Sequence, residues 1–332
     1  MGEKDSSLSF VLPVTLQEDV QGTDDWRDSP DTACPRRLRL LLESFSRTFD
    51  RRGLEQFLVV CPRRDQSELE RILRAQWDDP RFAVLCEEEL CPELAALRAQ
   101  GQAVPGWYVQ QILKLAAARR VSTRYYLTLD SDIVCRQPFS VGTLCPGGKA
   151  LLSVETPLTF VQRYRWKIAK DEIYIKYGRL GASARLLGYR RRARYLHRSY
   201  GETPVLMHTE SVIALLDYLT WRHGDWLQCL VSNDGWTEYT LYFQFVEHRG
   251  DLERLYATAH PNAVLDVDSS VWHGRRCYRR APDFSPRQLA KANKGAGPFI
   301  AVQSYVPLED WIAPRYASLD AFYDELEREL SA

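Results

Sequence analysis

The sequence predicts an α/β fold on a mainly parallel central sheet flanked by helices, with a mixed C-terminal part. Three observations predict it. Short apolar runs alternate with helical periodicity over the first third of the chain, 332 residues suit one continuous α/β core, and an apolar strand near mid-chain closes on two carboxylates. Leu8 to Val14 (LSFVLPV) reads as the first strand. Thr15, Gln17, Glu18 and Asp19 follow as polar residues at its carboxyl edge. Gln21 to Pro35, rich in Asp, Pro and Thr, reads as loop. Arg37 to Phe49 carries Leu38, Leu41, Leu42, Phe45 and Phe49 at helical spacing. Phe57 to Cys61 is a short buried strand closed by Pro62, Glu68 to Trp77 a second helix, and Phe82 to Leu85 a third strand. Such alternation implies right-handed βαβ crossovers.

Composition narrows the function classes. An apolar share of 45% argues against disorder, and 44 basic residues balance 44 acidic ones. Net charge therefore points to neither nucleic acid nor an anionic membrane as partner. No apolar stretch is long enough to span a bilayer, and the polar start MGEKDSSLS is no signal peptide. Eight cysteines lie scattered without a CxxC pair, Cys86 and Cys91 being closest. They read as reduced, mostly buried thiols of a cytoplasmic protein.

The chemistry concentrates around mid-chain. Trp107 to Ala118 (WYVQQILKLAAA) places Val109, Ile112, Leu113 and Ala116 on one helical face. Trp107, Gln110, Gln111 and Lys114 fall on the other, as a solvated outer face or as one side of a site. Tyr125 to Val134 (YYLTLDSDIV) is a strand ending in Asp130-Ser131-Asp132. Carboxylates at i and i+2 on extended chain share a side, and a strand's carboxyl end is where open α/β sheets bind ligands. Clustered Asp oxygens suit a hard cation that grips phosphate; an acidic capping turn is the structural alternative. Asn233 to Tyr239 opens another helix, in which Glu238 is a candidate general base or a dipole-favoured helix-start residue.

Four segments together resemble the GT-A nucleotide-sugar glycosyltransferases. They are the GW-x-x-QQ-x-LKL helix (Gly106 to Leu115), LDSD (Leu129 to Asp132), TEY-x-LY (Thr237 to Tyr242) and FIAVQSY (Phe299 to Tyr305). Within that class the chain is similar to a bacterial group of capsule- or polysaccharide-type transferases with a DxD motif, from about residue 8 to 310. The resemblance implies a single GT-A-like domain over 1–332. Its parts would be a nucleotide-binding half at 8–140, an acceptor-binding half at 141–310 and a C-terminal helix at 311–332. It implies Mn²⁺ or Mg²⁺ on Asp132, with Asp130 touching the metal or the ribose. Thr15 would meet the base, and Gln110, Gln111 and Lys114 the phosphates or donor sugar. His273 is the candidate third metal ligand, with His260 and His208 in reserve; a ring stacked on Trp272 or capping a carbonyl is the alternative. If the enzyme inverts configuration, Glu238 would take the acceptor's proton, with Asp234 its rival; if it retains configuration, neither need be a base. The implied partners are a nucleoside-diphosphate sugar and a glycan or glycolipid acceptor, in surface polysaccharide or glycolipid synthesis.

Two other readings stand beside this one. Asp130, Asp132 and Val134 also fit, as letters, a haloacid-dehalogenase-type phosphatase with Asp130 as nucleophile. A sugar-binding or scaffold protein with a relict site is the non-enzymatic reading. From Ile173 to Gly201 no acidic residue occurs, while Lys176, Arg179, Arg185, Arg190, Arg191, Arg192, Arg194 and Arg198 accumulate among Tyr174, Tyr177, Tyr189 and Tyr195. The run 176–198 reads as a solvated basic face or mobile loop, or as an acceptor-side lid that meets an anionic acceptor, a lipid diphosphate or the inner membrane surface; no nucleic-acid motif accompanies it.

Overall fold

The computed structural model describes residues 7–16, 34–189, 198–303, 306, 316 and 318–332. In chain order the strands are β1 (Leu8–Pro13), β2 (Leu54–Cys61), β3 (Phe82–Cys86), β4 (Tyr125–Thr128), β5 (Ile133–Cys135), β6 (Ala150–Glu155), β7 (Ser199–Tyr200), β8 (Val205–His208), β9 (Tyr256–Ala259) and β10 (Phe299–Ala301). The central sheet has the order β3-β2-β1-β4-β8. Its first four strands are parallel and β8 is antiparallel to β4. The α/β class with a mainly parallel sheet is what the chain adopts.

Helices Cys34–Thr48, Gln66–Gln76 and Gly106–Ala116 make the crossovers between the parallel strands. The expected stripe of the first helix is buried: Leu38, Leu41, Leu42 and Phe45 have no exposed surface. Phe45 meets Phe10 of β1 edge-on at 4.8 Å, and Phe10 stacks on Phe57 of β2 at 5.7 Å. The order 3-2-1-4 reverses direction between β1 and β4, so a crevice opens at their carboxyl ends. The D-x-D segment leaves β4 there.

Beyond β4 the structure departs from the expected single long strand. β4 stops at Thr128, the chain turns through Asp130–Asp132, and it resumes as β5, which pairs antiparallel with β10. The turn residues Asp-Ser-Asp break the strand by bonding locally, Ile133 N donating to the Asp130 carbonyl at 3.2 Å. The late strand is shorter than FIAVQSY; Tyr305 lies outside the described residues. The strand-like run Ala263 to Val267 is no strand. It keeps one bridge, Leu265 to Phe299, before a 3₁₀ turn at Val267–Ser269, which Asp266 caps by accepting from Ser269 N. Gly297 makes that join possible, since a Cβ there would lie 1.9 Å from the Val264 carbonyl oxygen. A second small sheet, β7-β6-β9, flanks the central one. The C-terminal helix, Leu319–Ser331, buries Phe322, Tyr323 and Leu326 and ties back to the first helix through Arg36 and Glu327 at 2.7 Å. Seven described cysteines are free thiols.

Candidate active site

Lys114 organises the site. It projects from the Gly106–Ala116 helix, and its ammonium lies 2.7 Å from Asp130 Oδ1 and 3.1 Å from Glu238 Oε1. Nζ also donates to Thr203 Oγ1 at 3.4 Å. Gln111, one turn earlier, accepts from Glu238 N through Oε1 at 3.0 Å and donates through Nε2 to the Trp107 carbonyl at 3.3 Å. The polar side of this helix is therefore buried, with Gln111 and Lys114 each 3% exposed. The outer-face reading fails because the Glu238–His248 helix and the loop at Thr203 cover it. Thr237 starts that second helix by accepting from Thr240 N, which sets Glu238 at its first position.

Of the expected site residues, Asp130, Lys114, Gln111 and Glu238 come together, with Asp132 two residues on. Gln110 is half-buried on the same helix. Asp234 lies apart, in an exposed turn where Gly235 takes φ +74° and donates its N–H to Tyr108 Oη at 2.7 Å. Thr15 does lie at the end of β1. Its hydroxyl donates to the buried Asp65 at 3.0 Å, and Leu16 N donates to the same oxygen at 2.8 Å.

The candidate third ligand behaves differently. His273 Nε2 sits 3.0 Å from Glu172 Oε1, and its ring stands edge-on to Tyr164 at 5.0 Å. Among the described residues no group of three His, Cys, Asp or Glu could hold a metal. His208 pairs in register with Tyr125, at the sheet edge opposite Asp130, and His260 meets the Gly295 carbonyl at 3.0 Å. Among the described residues no histidine joins the aspartates.

The electrostatics of the cluster are uneven. Burial pushes the Asp132 carboxyl up to about 7, and neighbouring Asp130 adds to the effect against Arg37 and Lys114. Asp132 Oδ1 is buried and accepts no hydrogen bond. Burial also raises Glu238; Lys114 opposes the rise and Asp130 adds to it. Burial works against the charge on Lys114, yet Asp130 and Glu238 outweigh it and hold the ammonium above its usual range. A hard divalent cation fits this donor set: two neighbouring carboxylates, one with a buried oxygen that accepts no hydrogen bond. Magnesium-type ions are held by one or two carboxylates, with phosphate and water filling the other positions.

Sequence reading missed several neighbours. Arg37 and Tyr323 flank Asp132, Arg37 counteracting the burial that lifts the Tyr323 phenol to about 12. The basic run was expected at the surface, but Lys176 and Arg179 face inward. Lys176 lies 3.0 Å from Glu155 and beside Glu202; Arg179 lies 3.1 Å from Glu202 and donates to Tyr239 Oη at 2.7 Å. Arg198 pairs with Glu247, and Tyr189 stacks on His248 at 3.6 Å. These ion pairs engage Lys176, Arg179 and Arg198 within the chain. Arg190, Arg191, Arg192, Arg194 and Tyr195 lie outside the described residues. The helical spacing of 176, 180, 183 and 187, all buried, was the available signal.

Over residues 5–327 the chain matches the family described as "Family of unknown function (DUF6492)", and it belongs to that family. No protein with a curated description matches it. Among solved structures, the apo form of mouse xyloside xylosyltransferase 1 is similar over 91% of this chain and 99% of that one, at 13% identity and a TM-score of 0.45. Galactosyltransferase LgtC, solved with donor and acceptor sugar analogues, is similar over 98% and 97%, at 9% identity and 0.41. Glucosyl-3-phosphoglycerate synthase from Mycobacterium tuberculosis, solved with Mn²⁺, UDP and glucosyl-3-phosphoglycerate, is similar over 77% and 70%, at 16% identity and 0.36.

Proposed function

We propose that this protein is a divalent-metal-dependent glycosyltransferase of GT-A type, moving a sugar from a nucleoside-diphosphate donor to a hydroxyl acceptor. The observation that carries the proposal is Lys114 bridging Asp130 at the carboxyl end of β4 and Glu238 at the start of a helix 124 positions later in the chain. One ammonium thus joins a cation-binding carboxylate to a candidate base.

Asp130 and Asp132 would hold Mn²⁺ or Mg²⁺, which when bound supplies a Lewis acid for the departing diphosphate. Lys114 adds a fixed positive charge beside the same phosphates. Glu238 takes the proton of the acceptor hydroxyl, and its raised pKa brings it closer to neutrality than an ordinary carboxylate. Gln111 holds the Glu238 backbone and so positions the base. Thr15 and Asp65, at the ends of β1 and β2, lie on the nucleotide side. Residues 8–140 would form the donor half and 141–310 the acceptor half, with β8 joining the second to the first sheet. Surface polysaccharide or glycolipid assembly is the pathway this reading favours.

The test is thermal stability against a panel of nucleoside diphosphates, with and without Mn²⁺, for wild type and Asp132→Ala. Binding at a hundredfold excess over Kd stabilises the native state by about 2.7 kcal/mol. A rise in melting temperature that needs metal and one nucleotide, and is absent in Asp132→Ala, supports the transferase. No rise with any nucleotide sinks it. Turnover of an aryl phosphate through an Asp130 phosphoenzyme would establish the phosphatase instead.

A further inference from the structure

Large apolar side chains stand exposed among the described residues at five positions, and three of them, Trp166, Tyr174 and Ile175, sit on the Trp166–Leu187 helix. Trp166 is 69% and Tyr174 80% exposed. Residues four apart on a helix form rows, and two adjacent rows here are wholly exposed: Trp166, Lys170, Tyr174 and Lys167, Asp171, Ile175. The opposite side of the helix, with Ala169, Lys176 and Leu180, is buried. The exposed face is therefore not the part of this helix that holds the fold together.

We infer that this face docks on an anionic phospholipid surface. Its charge is complementary to one: Arg165, Lys167 and Lys170 are exposed and basic against Asp171, while Glu172 is already engaged by His273. Trp and Tyr favour the headgroup level, where the ring is half in hydrocarbon and its polar edge wet. Lysines between them lay their methylenes on the same layer and keep the ammonium among the phosphates. A protein partner would favour a different pattern, because lysine is depleted from the cores of protein interfaces, whereas here it alternates with the aromatic rings. No helix of the described residues is long and apolar enough to cross a membrane, so the contact lies on the surface. It is formed by the stretch 165–175, N-terminal to the run that the sequence singled out.

The experiment is co-sedimentation of the full chain with phosphatidylcholine vesicles, with and without phosphatidylglycerol. Wild type should partition onto the mixed vesicles alone, less so at high salt. Lys167→Ala with Lys170→Ala should weaken partitioning about thirtyfold, at roughly fivefold for each basic residue removed. Trp166→Ser with Tyr174→Ser should abolish it at an unchanged melting temperature, since both rings are exposed. Failure of wild type to bind phosphatidylglycerol vesicles, or undiminished binding by these variants, overturns the inference. So does a wild-type dimer that Trp166→Ser with Tyr174→Ser splits, because the face would then belong to a second copy of the chain.

Discussion

Among the described residues, the clusters around Lys176 and around Lys114 solve the problem of burying charge in opposite ways. Around Lys176 and Arg179 the carboxylates are well supplied, Glu155 and Glu202 facing the three cations Lys176, Arg179 and Arg163. Burial would raise Glu202, but Lys176 and Arg179 outweigh it and pull the carboxyl down to about 2. Around Lys114 the carboxylates are in excess. Asp130, Asp132 and Glu238 share Lys114 and Arg37, and burial wins at Asp132 and Glu238, whose pKa values rise. Desolvation opposes ionisation in both clusters; the supply of partner cations differs. A satisfied cluster holds the fold together; the other keeps carboxylates in excess, as the proposed cation site requires.

The comparison is broken most severely at Lys114. Lys114→Met leaves the buried Glu238 and the half-buried Asp130 without their cation, and should destabilise the protein by about 3–5 kcal/mol in chemical denaturation. An equal stability for that variant would mean the cluster is open to water.

Acid separates the two clusters next. Glu202 has a folded pKa below its ordinary 4.5, so its contribution is present above that pH and is lost as pH falls towards about 2. The difference in unfolding free energy between wild type and Glu202→Gln should shrink by roughly 3 kcal/mol across that window.

Asp132 has the reverse sign. Its folded pKa of about 7 lies above the ordinary 3.8, so its contribution is full below 3.8 and fades as pH rises through 7. Without metal, Asp132→Asn should match wild type in acid and exceed it by about 4 kcal/mol above neutrality. The same variant should lose stabilisation by Mn²⁺. A wild-type advantage above neutrality would show that Asp132 is already compensated.

The smallest effect belongs to Thr15. Thr15→Val removes one hydrogen bond to Asp65 but leaves that of Leu16 N, a loss of about 1 kcal/mol by thermal unfolding.

The contrast between the clusters also shows what was legible in the sequence. The strands, the crossover helices and Asp130 at a strand's end followed from local periodicity and turn chemistry. The direction a helix face points did not. Val109, Ile112 and Leu113 were read as the inner stripe of their helix, yet Gln111 and Lys114 are just as buried, because the partner that covers them starts more than a hundred residues later. Lys176 and Arg179 looked solvent-facing for the same reason: Glu155 and Glu202 lie 21 and 23 residues away on other elements. His273 looked like a ligand since it followed a strand-like run and preceded a glycine, but Glu172 was the neighbour no spacing could reveal.

The pairing of β5 with β10 has one more consequence, in the order of assembly. The Asp132 carbonyl accepts from Val302 N at 2.9 Å, and Ile133 pairs with Ala301. On a growing chain β1 to β4 can pair long before that partner exists. The second aspartate gains its anchor once Val302 has been synthesised, so a nascent chain completes its scaffold first and its proposed cation site among the last events of folding.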